Sequence, residues 1–194
     1  MTAEIICVGT ELLLGDILNT NAQFLSRELA ELGISVMHQH VIGDNPARLK
    51  ELVLQAKSRS DLLVFSGGLG PTEDDLTKET VAEAFGDTLA FDEGEWQKII
   101  DFFARTNRRP TPNNRKQAMC PTVGHKLIND HGTAPGAWFV TADYESGEIK
   151  LQAEELNAGA FYTKDNLPEI PGKLSLARKL IDDWLGENSQ TDLG

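Results

Sequence analysis

Two aspartates stand where a metal-dependent reaction on a phosphate compound would need them. Asp44 follows the apolar stretch ISVMHQHVIG at 34–43, and Asp75 follows the glycine-rich stretch SGGLG at 66–70. Parallel strands end at a common sheet edge, so both carboxylates can open onto one crevice. There they can hold Mg²⁺ or another hard divalent ion against a pyrophosphate. The alternative for Asp44 is an ordinary turn or helix cap, which the sequence Asp-Asn-Pro favours equally.

The glycine-rich stretch supplies a backbone that can approach a ligand closely. Gly67, Gly68 and Gly70 allow a sharp turn and bring N–H groups near a bound anion. A local explanation competes: Thr72 with Asp75 three residues later is a capping-box pattern for a helix over 75–85. Capping accounts for one or two of these residues, at about 1 kcal/mol. It does not account for three glycines together with the acidic run that follows, so we interpret the segment as a ligand site.

Composition narrows the choice of partners. The net charge of −12 argues against binding to nucleic acid or to an anionic membrane surface. A phosphate ligand would therefore need a metal ion or local backbone donors to offset the acidic field. The two cysteines match no zinc-binding spacing. The sequence shows neither a signal peptide nor a membrane span, so we expect a cytoplasmic protein.

The predicted elements alternate between strand and helix. Continuous apolar runs predict strands, helical spacing of apolar residues predicts helices, and Ser-Gly at 146–147 predicts a hairpin. The strands are expected at 4–9, 34–43 and 61–68, the helices at 20–32, from Asn45-Pro46 onward, at 75–85, 93–105 and 174–185, and the hairpin at 136–152. This order is typical of an α/β three-layer sandwich with a mostly parallel sheet and a small β-hairpin. We expect one domain over residues 1–194.

Three motifs carry a family resemblance. GTELLLGDILNTN at 9–21, SGGLGPTEDDLT at 66–77 and GTAPGAWF at 132–139 resemble, in that order, the N-terminal domain of the CinA competence/damage-inducible family. That domain is similar to the molybdopterin-binding fold of MogA, MoaB and MoeA. The segment RPTPNNRKQAMCPTVGHKLINDHGTAPG at 109–136 also follows the family pattern, and the resemblance covers residues 4–139.

The resemblance implies a function and a set of site residues. In the pterin enzymes two aspartates, which fall by motif on Asp44 and Asp75, assist adenylyl transfer to molybdopterin. CinA-type domains are associated with metal-dependent hydrolysis of ADP-ribose. The resemblance therefore implies a dimer or trimer with a divalent cofactor (Mg²⁺, Mn²⁺ or Co²⁺), and Asp74 joins the two aspartates as a third candidate metal ligand. The expected phosphate- or nucleotide-binding residues are Gly9, Glu11, Asn21, Ser66, Gly67, Gly68, Gly70, Thr72, Gly132 and Thr133.

Three alternatives stay open. They are hydrolysis of ADP-ribose, adenylyl transfer to molybdopterin, and a binding module without catalysis. The sequence also departs from the family pattern after GAWF, where LPEIPG at 167–172 stands in place of a Pro/Gly-rich loop and Glu169 in place of a glycine. We therefore expect an atypical C-terminal portion over 141–194. We do not expect the deamidation of nicotinamide mononucleotide that a separate C-terminal domain performs in longer family members.

Overall fold

The computed structural model describes residues 1–129 and 132–139. Its strands are β1 (Thr2–Val8), β2 (Ser35–Ile42), β3 (Leu62–Ser66), β4 (Leu89–Phe91), β5 (Met119–Pro121), β6 (His125–Leu127) and β7 (Gly136–Trp138). Its helices are α1 (Thr10–Leu14), α2 (Thr20–Glu31), α3 (Pro46–Lys57), α4 (Thr77–Phe85) and α5 (Glu93–Arg105), with a 3₁₀ helix at Pro112–Ala118. The helix predicted at 174–185 and the atypical portion 141–194 lie outside the described residues.

The central sheet is parallel, and its strand order is β2-β1-β3. Residues on alternate sides of β1 enter two separate cores, because successive side chains of a strand point to opposite faces. Ala3, Ile5 and Cys7 pack with α2, whereas Ile6 and Val8 pack with α3 and α4. Helices therefore cover both faces of β1, which confirms the predicted three-layer α/β architecture.

Two small antiparallel pairs accompany the sheet: β4 with β5, and β6 with β7. Gly136–Trp138, where the predicted hairpin at 136–152 begins, is a strand that pairs with His125–Leu127. The rest of that hairpin lies outside the described residues. Among the described helices, none is both long and apolar enough to cross a membrane.

Side chains at the helix starts set the path of the chain between strands and helices. The side chain of Asn45 accepts from the Arg48 amide at 3.0 Å and begins α3, as the Asn-Pro pair predicts. Helix α2 is capped by Asn19, whose side chain accepts from the Ala22 amide at 3.1 Å. Asn21 is thereby left free of the capping role and available at the sheet edge.

Candidate functional site

The three parallel strands end together, and the predicted site residues follow them. In the register of the sheet Val8 lies beside Ile42, and Cys7 lies beside Ser66. The Gly9 amide continues this edge by donating to the Ile42 carbonyl at 2.9 Å. The sheet edge therefore carries Gly9, Asp44 and the glycine bend, and the expectation that the second and third strands end at one edge is confirmed.

The bend at Gly67 and Gly68 is a position where only glycine fits. Gly67 has φ +101°, and a Cβ there would lie 2.0 Å from the Val8 carbonyl oxygen. Gly68 has φ +65°, and its Cβ would lie 2.1 Å from Thr77 Oγ1. Both values of φ lie in the left-handed region that other residues rarely adopt. The bend thus presses the backbone against the end of β1 and the start of α4.

Asp75 closes a tight turn beside this bend. Its Oδ2 accepts from the Thr72 amide at 2.9 Å and also from the Thr72 hydroxyl. Gly70 leaves room for the carboxylate, since a Cβ there would lie 2.4 Å from Asp75 Oδ2. Partial burial raises the pKa of Asp75, but the Thr72 and Gly70 hydrogen bonds and the charge of Lys116 outweigh it, and the pKa lies below its ordinary value. Asp75 is therefore an ionised carboxylate in this turn at neutral pH.

The predicted capping box at Thr72 and Asp75 is corrected. Helix α4 begins at Thr77, and its N-cap residue is Leu76, which makes no side-chain cap bond. The Asp75 carboxylate does accept from Thr72, as in a capping box, but these bonds close a separate turn in the loop before the helix. The acidic residues 73–75 therefore lie in a loop and not in the first turn of a helix.

Asp44 has a similar arrangement at the end of β2. Its Oδ2 accepts from the Thr10 amide at 3.0 Å and from the Thr10 hydroxyl at 2.7 Å, which ties β2 to the start of α1. The Asp44 amide donates back to Thr10 Oγ1 at 3.2 Å. Both bonds to the carboxylate use Oδ2, so Oδ1 accepts in neither of them. The turn alternative and the ligand alternative are thus compatible at this residue.

Other predicted residues are joined in pairs across the loops. Asn21 Nδ2 donates to Ser66 Oγ at 2.8 Å, which joins α2 to the end of β3. The Glu11 carboxylate lies over Gly9, where a Cβ would come within 2.6 Å of Glu11 Oε1. Asp74 is exposed in the loop beside Asp75.

The 3₁₀ helix contributes site residues that sequence reasoning missed. Gln117 Nε2 donates to the Leu69 carbonyl at 3.3 Å and to Thr133 Oγ1 at 3.0 Å. Lys116 Nζ donates to the Thr72 carbonyl at 2.9 Å. These bonds bring Thr133 and its neighbour Gly132, both expected among the phosphate-binding residues, close to the glycine loop. No local pattern in the sequence marks the contacts to Thr72 and Leu69, which span 44 and 48 residues of chain.

The oxygen donors of the site show whether a metal ion would fit there. Mg²⁺ prefers carboxylate oxygens, uses few protein ligands, and keeps waters and substrate phosphates as its other ligands. Asp44 and Asp75 supply donors of that kind. Over residues 1–129 and 132–139, however, no group of three or more His, Cys, Asp or Glu is placed to hold a metal ion. Each aspartate thus offers the kind of oxygen donor that Mg²⁺ binds, and the metal site stays a prediction.

The architecture and the glycine loop define a class of protein, and comparison with family models agrees. Residues 4–147 match the family described as "Probable molybdopterin binding domain", and the chain belongs to this family of domains. Within it, the chain is similar to CinA proteins. A CinA of unknown function from Thermoplasma acidophilum shares 34% identity and a TM-score of 0.63, over 73% of this chain and 82% of that one.

The chain is also similar to longer proteins that are named as competence-damage inducible. A protein of Bacillus cereus named as competence-damage inducible is 55% identical over 136 residues, 70% of this chain and 33% of the relative. One from Symbiobacterium thermophilum, of the same name, is 57% identical over 151 residues, 78% of this chain and 35% of the relative. The chain thus matches about one third of the length of these curated relatives.

Proposed function

We propose that this domain binds the phosphate groups of a nucleotide and hydrolyses the pyrophosphate of ADP-ribose with a divalent metal ion. The observation that supports the proposal most directly is the shared sheet edge, which carries Asp44 and the glycine bend with Asp75 in its loop. A carboxylate and a glycine turn within one loop combine the two needs of a phosphate site, a hold on cations and donors for anions.

Each group has a role in this proposal. The amides of the glycine loop would hold the pyrophosphate, and Asn21 and Ser66 would orient the rest of the nucleotide. Asp44 and Asp75 would hold the metal ion, whose chemistry when bound is to lower the pKa of water and to neutralise charge on the phosphates. The two carboxylates would also fix the orientation of the attacking water by accepting its hydrogen bonds.

ADP-ribose hydrolysis with and without Mg²⁺, Mn²⁺ or Co²⁺ tests the proposal. We expect metal-dependent release of AMP and ribose 5-phosphate, and a loss of at least about a hundredfold in Asp75→Asn. Asp101→Asn is a matched control, because Asp101 lies on α5 and accepts only from Gln97 Nε2 among its described contacts. Equal rates in wild type and Asp75→Asn would overturn the catalytic assignment.

Pterin binding is the second candidate, and the family match favours it. A domain of this family that acts on molybdopterin would use the same carboxylates for adenylyl transfer from ATP. Calorimetry with molybdopterin and with ADP-ribose separates the two candidate functions. The compound that is the substrate should bind with a micromolar Kd, and the other compound should not bind. A ligand that raises the melting temperature without any product would instead indicate a binding module without catalysis.

We also propose that the chain self-associates as a dimer or trimer. The support is the loop at α1, where Leu13, Leu14, Ile17 and Leu18 are exposed, Leu18 by 85%. Runs of exposed large apolar side chains are uncommon on monomers. Light scattering of wild type and Leu14→Ser tests this, and a monomeric wild type at high concentration would contradict it. A cytoplasmic location remains an expectation from composition.

A further inference from the structure

Positive charge is concentrated in one segment of an acidic chain. Residues 102–129 hold six of the 18 Lys and Arg residues and none of the 30 Asp and Glu residues, although the net charge of the chain is −12. A segment of one charge sign in a chain of the opposite sign indicates a surface for an anionic partner. Which of the six cations are free to bind such a partner depends on their contacts within the fold.

Three of the six cations already have partners. Lys116 and Lys126 pair with carboxylates, and Arg115 lies over the Phe91 ring, 4.1 Å from its centroid. The other three are exposed arginines whose side chains form no hydrogen bond, ion pair or ring contact with residues 1–129 or 132–139. They are Arg105, Arg108 and Arg109, and we call them the arginine patch.

The backbone of the arginine patch is held by the end of α5. Asn107 has φ +57°, its amide donates to the Ala104 carbonyl at 3.0 Å, and the Arg108 amide donates to the Phe103 carbonyl at 2.9 Å. These two bonds around a left-handed residue form the Schellman motif that ends many helices. The backbone at Arg108 is therefore fixed before any partner arrives, which lowers the entropic cost of binding.

The electrostatics of the helix explains only one of the three arginines. Arg105 lies in the last turn of α5, where the helix dipole favours a cation. Arg108 and Arg109 follow the end of the helix, and the effect of the dipole falls off beyond the last turn. Neither arginine is needed for solubility, because the chain is already strongly charged.

An apolar side chain lies beside the arginines. Phe102 is 36% exposed and precedes Arg105 by three residues, so the two are neighbours on the surface of α5. The Phe102 ring packs edge-to-face against Phe103, with 6.2 Å between the ring centroids. Aromatic and arginine side chains together are typical of the residues that contribute most to protein–protein binding.

We propose that the arginine patch and Phe102 bind a short acidic segment of a partner protein that carries an apolar residue. The planar guanidinium of arginine matches the two oxygens of a carboxylate, and arginine clusters recognise acidic motifs. A short segment fits better than a long polyanion such as nucleic acid, because a long one would extend from the patch onto acidic surface that repels it. This surface goes beyond the proposed function and shares no residue with the proposed active site.

Fluorescence anisotropy of the full chain with a labelled peptide tests the proposal. The probe is a peptide of about ten glutamates with one central phenylalanine. Wild type should bind it, and binding should weaken about fivefold or more as salt rises from about 50 to about 200 mM. The same peptide with alanine in place of phenylalanine should bind about threefold more weakly, and equal binding of the two peptides would overturn the role of Phe102.

A pair of double variants with the same change in charge locates the surface. Arg108→Gln combined with Arg109→Gln should bind the peptide about three- to tenfold more weakly. Arg27→Gln combined with Arg48→Gln is the control, since both are exposed arginines on α2 and α3 that form no ion pair in the described part of the chain. The control should bind within about twofold of wild type. No binding by wild type, or equal affinity in the two double variants, would overturn the proposal.

Other occupants of the arginine patch give different results. An oligodeoxythymidine of about ten nucleotides that binds wild type more tightly than the peptide does would overturn the proposal in favour of nucleic acid. Self-association that is lost in the Arg108 and Arg109 double variant would assign the patch to a second copy of the chain. All binding is measured without metal or nucleotide, so absence of ADP-ribose hydrolysis would contradict the proposed function and leave this surface standing.

Discussion

A buried carboxylate at the opposite end of the sheet gives a prediction with a defined magnitude. Glu4 on β1 is 0% exposed. Its oxygens accept from Arg59 Nε at 2.6 Å, Arg59 Nη2 at 2.9 Å and Ser60 Oγ at 2.8 Å, and His40 Nε2 lies 2.7 Å away. The pKa of Glu4 is lowered from 4.5 to about 2, mainly by the hydrogen bonds from Arg59, although burial acts in the opposite direction. This cluster ties β1 to β2 and to the turn before β3.

The pKa difference converts to stability. At about 1.36 kcal/mol per pKa unit the difference between 4.5 and about 2 corresponds to about 3.4 kcal/mol. The Arg59 side chain is 37% exposed, so solvent screening reduces our expectation to about 2 kcal/mol. Because the folded-state pKa is the lower one, this stability is fully present above pH 4.5 and is lost as the pH falls towards 2.

Glu4→Gln is the variant that tests this reasoning. Urea unfolding at pH 7 should show a loss of about 2 kcal/mol or somewhat more, because Arg59 is left without its carboxylate. The difference in unfolding free energy between Glu4→Gln and wild type should become smaller as the pH falls from 5 to 3. Glu83→Gln is the control, since Glu83 also pairs with a cation but is 66% exposed, and its loss should cost about 0.5 kcal/mol or less. A gap that stays constant from pH 7 to pH 3 would refute the electrostatic account of Glu4.

Two further predictions concern the loops. Gly67→Ala should lower the free energy of unfolding by about 3 kcal/mol or more, because the new Cβ would lie 2.0 Å from the Val8 carbonyl oxygen. Gly15→Ala is the control: Gly15 has φ +81° but open space around it, so this variant should cost about 1 kcal/mol. Equal costs in urea unfolding would show that the structure relieves the clash at Gly67. Asp87→Asn should cost about 1–3 kcal/mol, since this carboxylate accepts from the amides of residues 88 and 122–124. Burial raises the pKa of Asp87, but the hydrogen bonds to its carboxylate outweigh burial, and the pKa lies below its ordinary value. The difference in unfolding free energy between Asp87→Asn and wild type should therefore become smaller in acid. A difference that does not depend on pH would contradict this role of Asp87.

The elements with strong periodic or capping signals were predictable from sequence. Helix α5 was predicted with its observed bounds, because its apolar residues recur at helical spacing along its whole length. The continuous apolar run at 4–9 likewise predicted the buried strand β1. Short elements were missed: β4, β5 and β6 have three residues each, which is too few for any alternation to appear.

The candidate site was predictable in its loops but not in its connections. The glycine bend was found because closely spaced glycines are visible in the sequence. The position of α4 was wrong by two residues, since Thr72 and Asp75 carry the capping-box pattern without starting a helix. Lys116 and Gln117 reach the glycine loop across 44 and 48 residues of chain, and no local pattern encodes such a contact.

The central claim is that Asp44 and Asp75 act on one bound phosphate compound, and a double-mutant cycle on metal-dependent ADP-ribose hydrolysis tests it most directly. If both aspartates hold one metal ion, Asp44→Asn and Asp75→Asn should each remove nearly all activity, and the double variant should be hardly slower than either single one. Rate losses that simply multiply in the double variant would show two independent roles, and either variant retaining the wild-type rate would contradict the account.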